Sequence, residues 1–250
     1  MSVHLVGGGY RDGTEHEVYG PFVTEALWRA GDERPAVIAV LTVRQDADPS
    51  HADTLASALL KAASGRELDV ASTVIDEAAV TDSGERMPEA ALTVPGGRLV
   101  DGILVGGGLT PAYLAALAPL AESIRRAVTA GVPYLGFSAG AAIAPDRALV
   151  GGWRIGEVEV CAEDSGEDLD ELTIEDGLGL IDVTVDVHAA QWGNLSRAIA
   201  AVDSGAVGEA VAIDEATVLT VGAGPLRAGG AGTVWVVTHD DRGVLVRSMR

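Results

Sequence analysis

The chain has 250 residues, 48% of them hydrophobic and 22% charged, and its 37 acidic against 17 basic side chains leave a formal net charge of −20. That length excludes a marginal mini-protein and supplies enough chain to bury a sizeable core. The negative charge repels polyanions and argues against nucleic acid as a partner, and the lone cysteine, Cys161, can form neither an internal disulfide nor a multi-cysteine zinc site.

The first nine residues carry no basic segment, and glycines interrupt their short apolar stretch, so no signal peptide is expected. Apolar runs such as residues 36–43 and 199–202 fall far short of the ~20 residues of a bilayer span. A cytoplasmic protein, without membrane partners, is the expectation.

Short β-rich runs at residues 3–6, 36–43, 68–75, 102–105 and 133–137 alternate with helical patterns, the signature of a parallel sheet wrapped by helices. Their near-continuous hydrophobicity predicts burial on both faces. Residues 49–64 place Leu55, Leu59 and Leu60 at helical spacing before Gly65, and Thr110-Pro111 opens a second helix through Tyr113, Leu114 and Leu117. Beyond Pro145 the pattern predicts a strand at 153–161. The acidic run from Glu163 to Glu171 lacks the spacing of a calcium loop and reads as a solvated surface excursion. Strands at 178–187 and 210–221 flank a helix at 194–202, and residues 232–249 form a hairpin turning at 240–243. No repeat or linker divides residues 1–250. The expected fold is a single-domain α/β three-layer sandwich around a mostly parallel sheet, with a C-terminal β-hairpin.

Gly136-Phe137-Ser138-Ala139-Gly140 matches the nucleophile-elbow pattern G-x-S-x-G where a strand should give way to a helix. Such a turn exposes a serine hydroxyl, and flanking glycines let neighbouring backbone approach. A serine nucleophile needs a base and a group that orients the base. Of five histidines, His4 and His51 read as structural or solvated, His16 is uninformative, and His239 falls at the predicted hairpin turn. His188 ends an apolar run at a strand edge, where open α/β sheets place their sites, and is the best base. Asp214 and Glu215 end another strand; alternation sends them to opposite faces, so only one can meet the histidine. Gly106-Gly107-Gly108 suits an oxyanion loop better than a phosphate cradle, since neither it nor Gly7-Gly8-Gly9 completes G-x-G-x-x-G.

These residues resemble the serine peptidases that include aspartyl dipeptidase (peptidase E) and cyanophycinase, on a flavodoxin-like, class I glutamine amidotransferase-like fold. Four stretches carry the resemblance: 106–110, 136–141, 177–180 leading to Asp186-Val187-His188, and 213–217. It implies Ser138 as nucleophile, His188 as base and Glu215 as orienting acid, with oxyanion donors at Gly108, Ala139 and, as a further candidate, Gly107. No cofactor or metal is implied. The order Ser, His, acid differs from the Ser, acid, His order of α/β-hydrolases, which would use Ser138, Asp214 and His239. The sequence departs from peptidase E at Leu109, where that family member has Asn, and from cyanophycinase at Trp192 and Asn194, which replace arginines. Leu109, Gln191, Trp192 and Arg197 are therefore the candidate substrate-binding residues, with Arg11 and Arg154 as further cations. The expected activity is hydrolysis of small peptides, aspartyl or isoaspartyl (cyanophycin-like) linkages among them, through an acyl-enzyme. The alternative is an amidotransferase-like binding module without turnover. A homodimer is compatible with either.

Overall fold

The computed structural model describes residues 2–250. Its first half runs β1 (Val3–Val6), α1 (Glu15–Ala30), β2 (Ala36–Arg44), α2 (Ser50–Ala62), β3 (Leu68–Asp76), α3 (Glu77–Ser83), β4 (Gly102–Val105), α4 (Thr110–Leu117), α5 (Ala121–Thr129), β5 (Tyr134–Phe137) and α6 (Ala139–Ala142). All five of these strands are parallel to one another. Because successive side chains point to opposite faces, β2 and β4 are apolar on both. Leu41, Val43, Ile103 and Val105 join one apolar cluster with α4 and α5, whereas Ile38, Val40 and Leu104 join another with α1 and α2.

Helix α1 has no counterpart among the sequence expectations. Gly20-Pro21 reads as a breaker, yet Pro21 lies inside the helix. Burial of Val18, Phe22, Val23, Ala26 and Leu27 along one stripe of α1 outweighs the loss of one backbone hydrogen bond.

The second half contains β6 (Arg147–Gly151), β7 (Arg154–Ile155), β8 (Val158–Glu159), β9 (Thr173–Asp176), β10 (Thr184–Val187), α7 (Leu195–Asp203), β11 (Glu209–Ile213), β12 (Thr217–Val221), β13 (Arg227–Gly230), β14 (Val234–Asp240) and β15 (Gly243–Met249). Strands β12 and β13 extend the main sheet antiparallel, giving the order β13-β12-β1-β5-β4-β2-β3. A second sheet, β10-β11-β14-β15, packs into the same large apolar cluster through Val185, Val187, Val211, Ile213 and Val234. In it β10 and β11 are parallel, and β14 pairs antiparallel with β15. No helix among the described residues is long and apolar enough to cross a membrane.

Three expected strands are corrected. Residues 153–161 form a tight two-stranded turn, Ile155 opposite Val158, with Gly156 at φ +59° where a straight strand cannot continue. Only the last four of the ten residues 178–187 are strand, and Gly179 takes φ +71°. The run 210–221 is two strands in two different sheets, broken at Asp214-Glu215-Ala216 where Ala216 adopts φ +50°. Each break falls at strand-depleted residues, Gly156, Gly179 and Asp214-Glu215, that the apolar runs around them outweighed; in the third the two halves also join different sheets.

Candidate active site

Ser138 follows β5 and is held at φ 52°, ψ −112°, a conformation that costs free energy for any side-chain-bearing residue. Its own N–H donates to Val6 O at 2.9 Å. The flanking glycines are required sterically: a Cβ on Gly136 would lie 2.3 Å from Gly140 O, and one on Gly140 would lie 2.3 Å from Val105 O. The helix behind the elbow, α6, is a single turn of four residues. The helix dipole expected there is therefore small, and any anion stabilisation must come from individual N–H groups.

His188 lies just past the end of β10 and is almost fully buried. Its Nε2 accepts from the Ser138 hydroxyl at 2.8 Å, and its Nδ1–H donates to Glu215 Oε1 at 2.7 Å. Glu215 sits in the turn where the chain leaves β11 for β12. Its neighbour Asp214 is occupied by Ala190 N–H, Thr233 N–H and Trp235 Nε1–H at 2.9–3.1 Å. The two carboxylates thus diverge, and the hydrolase-type set of Ser138, Asp214 and His239 is not assembled. His239 stands on β14 opposite Val244.

Burial pushes the His188 imidazole below its ordinary pKa, against the opposing pull of the Glu215 carboxylate. The indole of Trp192 lies flat on the imidazole, ring centroids 3.8 Å apart and planes 5° from parallel. Its π face stabilises an imidazolium when one forms.

Gly7-Gly8-Gly9, which the sequence offers only as a weak phosphate loop, packs beneath His188 and Glu215. A Cβ on Gly8 would fall 2.2 Å from His188 Cε1, and one on Gly9 2.5 Å from Glu215 Oε2. Backbone bonds from His188 N–H to Gly7 O (2.9 Å) and from Ala216 N–H to Gly8 O (2.7 Å) tie both carriers to the end of β1.

Gly106-Gly107-Gly108 stands on the other side of the serine; a Cβ on Gly107 would lie 2.8 Å from Ser138 Cβ. Gly106 N–H donates to Leu41 O at 2.9 Å, and Gly107 N–H donates to His51 Nε2 at 2.9 Å. Gly107 is therefore corrected as an oxyanion donor, because its N–H is already spent. The N–H groups of Gly108 and Ala139 have no acceptor among the described residues. His51, expected to be structural or solvated, instead borders the cleft, with burial and Arg44 holding its pKa down to about 4. At ordinary pH it is thus a neutral acceptor. Nothing in a lone histidine in the first turn of a helix signals this.

Ser138 and His188 open into a cleft of about 880 Å³. Of the four candidate substrate-binding residues, Leu109 and Trp192 line it and Gln191 and Arg197 do not. Gln191 Oε1 instead accepts from Glu215 N–H at 2.9 Å. Arg197 is buried in a bidentate pair with Asp186, 2.7 and 2.9 Å, and also donates to Ser165 O. Arg154 pairs with Asp170 and Glu171, and Arg11 borders a separate hollow. Asn194, at one of the positions that depart from cyanophycinase, is buried and donates to Val187 O.

The acidic run is solvated as expected, with Glu163, Asp164, Asp168, Asp170 and Glu171 exposed, and it also forms a wall of the cleft. Glu163, Asp164, Glu167, Asp168 and Asp170 line it, with Glu77 from α3, against Arg44 as the permanent cation. Glu167 accepts from Thr110 N–H at 2.9 Å, and burial raises its carboxyl above the usual range.

The family model for peptidase family S51 matches residues 98–223, a span that includes Ser138, His188 and Glu215. No curated protein matches the sequence. Among solved structures, the chain is similar to a peptidase from an acI-B1 Actinobacterium, with a TM-score of 0.61 and 17% identity over 99% of this chain and 93% of that one. At that identity the likeness concerns the fold.

Proposed function

This chain belongs to peptidase family S51 and is a serine-type peptidase, and from that premise we propose that Ser138, His188 and Glu215 carry out its chemistry on small peptides. One observation supports these roles above all: the continuous bond path from hydroxyl through imidazole to carboxylate, 2.8 and 2.7 Å long.

In the proposed reaction Ser138 Oγ attacks the scissile carbonyl carbon while its proton passes to His188 Nε2. Glu215 fixes the Nδ1–H tautomer and stabilises the imidazolium. The carbonyl oxygen becomes an oxyanion facing the N–H groups of Gly108 and Ala139. The C–N bond then breaks, His188 returns its proton to the leaving amine, and an acyl-enzyme remains. Water adds to that ester with His188 again taking and returning a proton, which releases the carboxylic acid and restores the serine.

The cleft's charge guides the substrate reading. Six carboxylates oppose one guanidinium, so a substrate carboxylate is accepted only beside Arg44, while a basic side chain is favoured along the 163–170 wall. An isoaspartyl linkage bearing a basic residue satisfies both.

Ser138→Ala should abolish peptide turnover and labelling by a fluorophosphonate; labelling that survives the substitution removes this serine from the mechanism. A folded wild-type protein that is never labelled favours the binding-module alternative. Parallel assays of α-aspartyl, β-aspartyl, neutral and lysyl dipeptides test specificity, and preference for acidic residues on both sides of the bond would overturn the charge argument.

A further inference from the structure

We propose that Arg44 and Tyr113 are positioning residues that aim the Gly108 N–H at the developing oxyanion by gripping the other end of its peptide plane. The inference rests on the serine-peptidase reading above and adds to it a device that neither the elbow nor the triad contains.

A peptide unit is planar, and its C=O and N–H point in opposite directions. Gly107 C=O and Gly108 N–H belong to one such unit. The oxygen accepts from Arg44 Nη1 at 3.1 Å and from Tyr113 Oη–H at 2.9 Å, which leaves the N–H directed away from that pair, in a loop that lines the cleft together with Ser138. The preceding unit is fixed as well, since Gly106 O accepts from Gly140 N–H at 2.9 Å and Gly107 N–H donates to His51 Nε2. Three glycines would otherwise be the loosest backbone in the site. Here each peptide plane has one allowed orientation, and the Gly108 N–H is the donor left over.

The chemistry of the grip suits the task. Arg44 has no carboxylate within ion-pairing distance among the described residues, so its charge is applied to the Gly107 carbonyl. A cation at the oxygen end polarises the amide and strengthens the N–H at the other end as a donor. Tyr113 is fully buried, which favours its neutral, hydrogen-donating form. Preorganised donors of this kind cost no reorganisation when charge develops.

The test measures the rate at which an uncharged alkyl fluorophosphonate labels Ser138, a step in which the serine oxygen bonds phosphorus, fluoride leaves and the serine proton passes to His188. The probe has no carboxylate, so any loss on changing Arg44 is not a loss of substrate binding. Tyr113→Phe should slow labelling about tenfold and Arg44→Met/Tyr113→Phe about a hundredfold, with Arg44→Lys recovering part of the loss. An alkyl trifluoromethyl ketone, which forms an oxyanion on adding the serine, should lose affinity in parallel, whereas the matching carbinol, which cannot, should bind unchanged. The acid limb of the labelling profile, set by His188, should stay in place.

Equal labelling rates and equal ketone affinity in wild type and in a folded double variant would overturn the proposal while leaving the peptidase reading intact. Parallel loss of ketone and carbinol affinity would also overturn it, since that is general damage. Should the double variant not fold, Tyr113→Phe, which removes a single oxygen, decides alone. Wild-type protein that resists labelling at Ser138 would sink both readings together.

Discussion

The two glycine triplets, Gly7-Gly8-Gly9 and Gly106-Gly107-Gly108, are identical in sequence, and each follows a parallel strand of the main sheet. They work in opposite ways. The first is a bed: its missing side chains make room for the imidazole of His188 and the carboxylate of Glu215. The second offers its own backbone, with two N–H groups committed and one left open. A glycine run therefore has no intrinsic function. What stands over it decides whether absence of a side chain or access to the main chain is the property in use.

Substitutions can break that contrast. Gly8→Ala should have the largest effect, because its methyl carbon would sit 2.2 Å from the His188 ring at a backbone φ of +92°. The displaced base should lower kcat by about 10³-fold or more, approaching loss of the histidine itself, as read in a peptide assay on protein shown to be folded by circular dichroism. Gly107→Ala should cost about 10²-fold by pushing the oxyanion loop off the serine, with the acid limb of kcat/KM unmoved. If the two variants exchanged these signatures, the division of labour would be wrong.

Acid should sharpen the contrast further. Because burial lowers the His188 pKa, the neutral base persists as pH falls through the usual imidazole value of about 6.5. The acid limb of kcat/KM should therefore lie below 6.5, falling about tenfold per pH unit beyond it. A second loss should begin near pH 4, where His51 takes a proton and can no longer accept from Gly107. A profile with a single limb at or above 6.5 contradicts both assignments. The smallest effect on chemistry should come from Arg197→Met. It strands Asp186 without its partner and should cost about 3–5 kcal/mol in denaturant unfolding, while activity per folded molecule stays within a few-fold of wild type.

The sequence made the parallel sheet and the serine turn legible because each rests on local pattern: unbroken apolar runs and small residues around Ser138. His188 and Glu215 could be singled out only as strand ends, with the resemblance supplying their pairing. Three features escaped because distant segments create them. The Gly7–Gly9 run acquires meaning only once residues 188 and 215 fold over it. His51 matters because Gly107 arrives beside it, 56 residues along the chain. The acidic run became a cleft wall through the close approach of Gly152 to Glu171 O, where a Cβ would lie 2.1 Å away. Arg197 misled for the opposite reason, since a lone arginine after the histidine does not disclose that Asp186 already holds it.

Serine 138 is carried by one sheet, whereas His188 and Glu215 hang from the ends of β10 and β11 in the other. Strand β11 is clasped on its far side by β14, near the end of the chain. On the proposed reading, the β11–β14 pairing is thus part of what keeps the imidazole and its acid within reach of the hydroxyl. Loosening that seam would part the two sheets' contributions and leave the serine turn folded but unarmed.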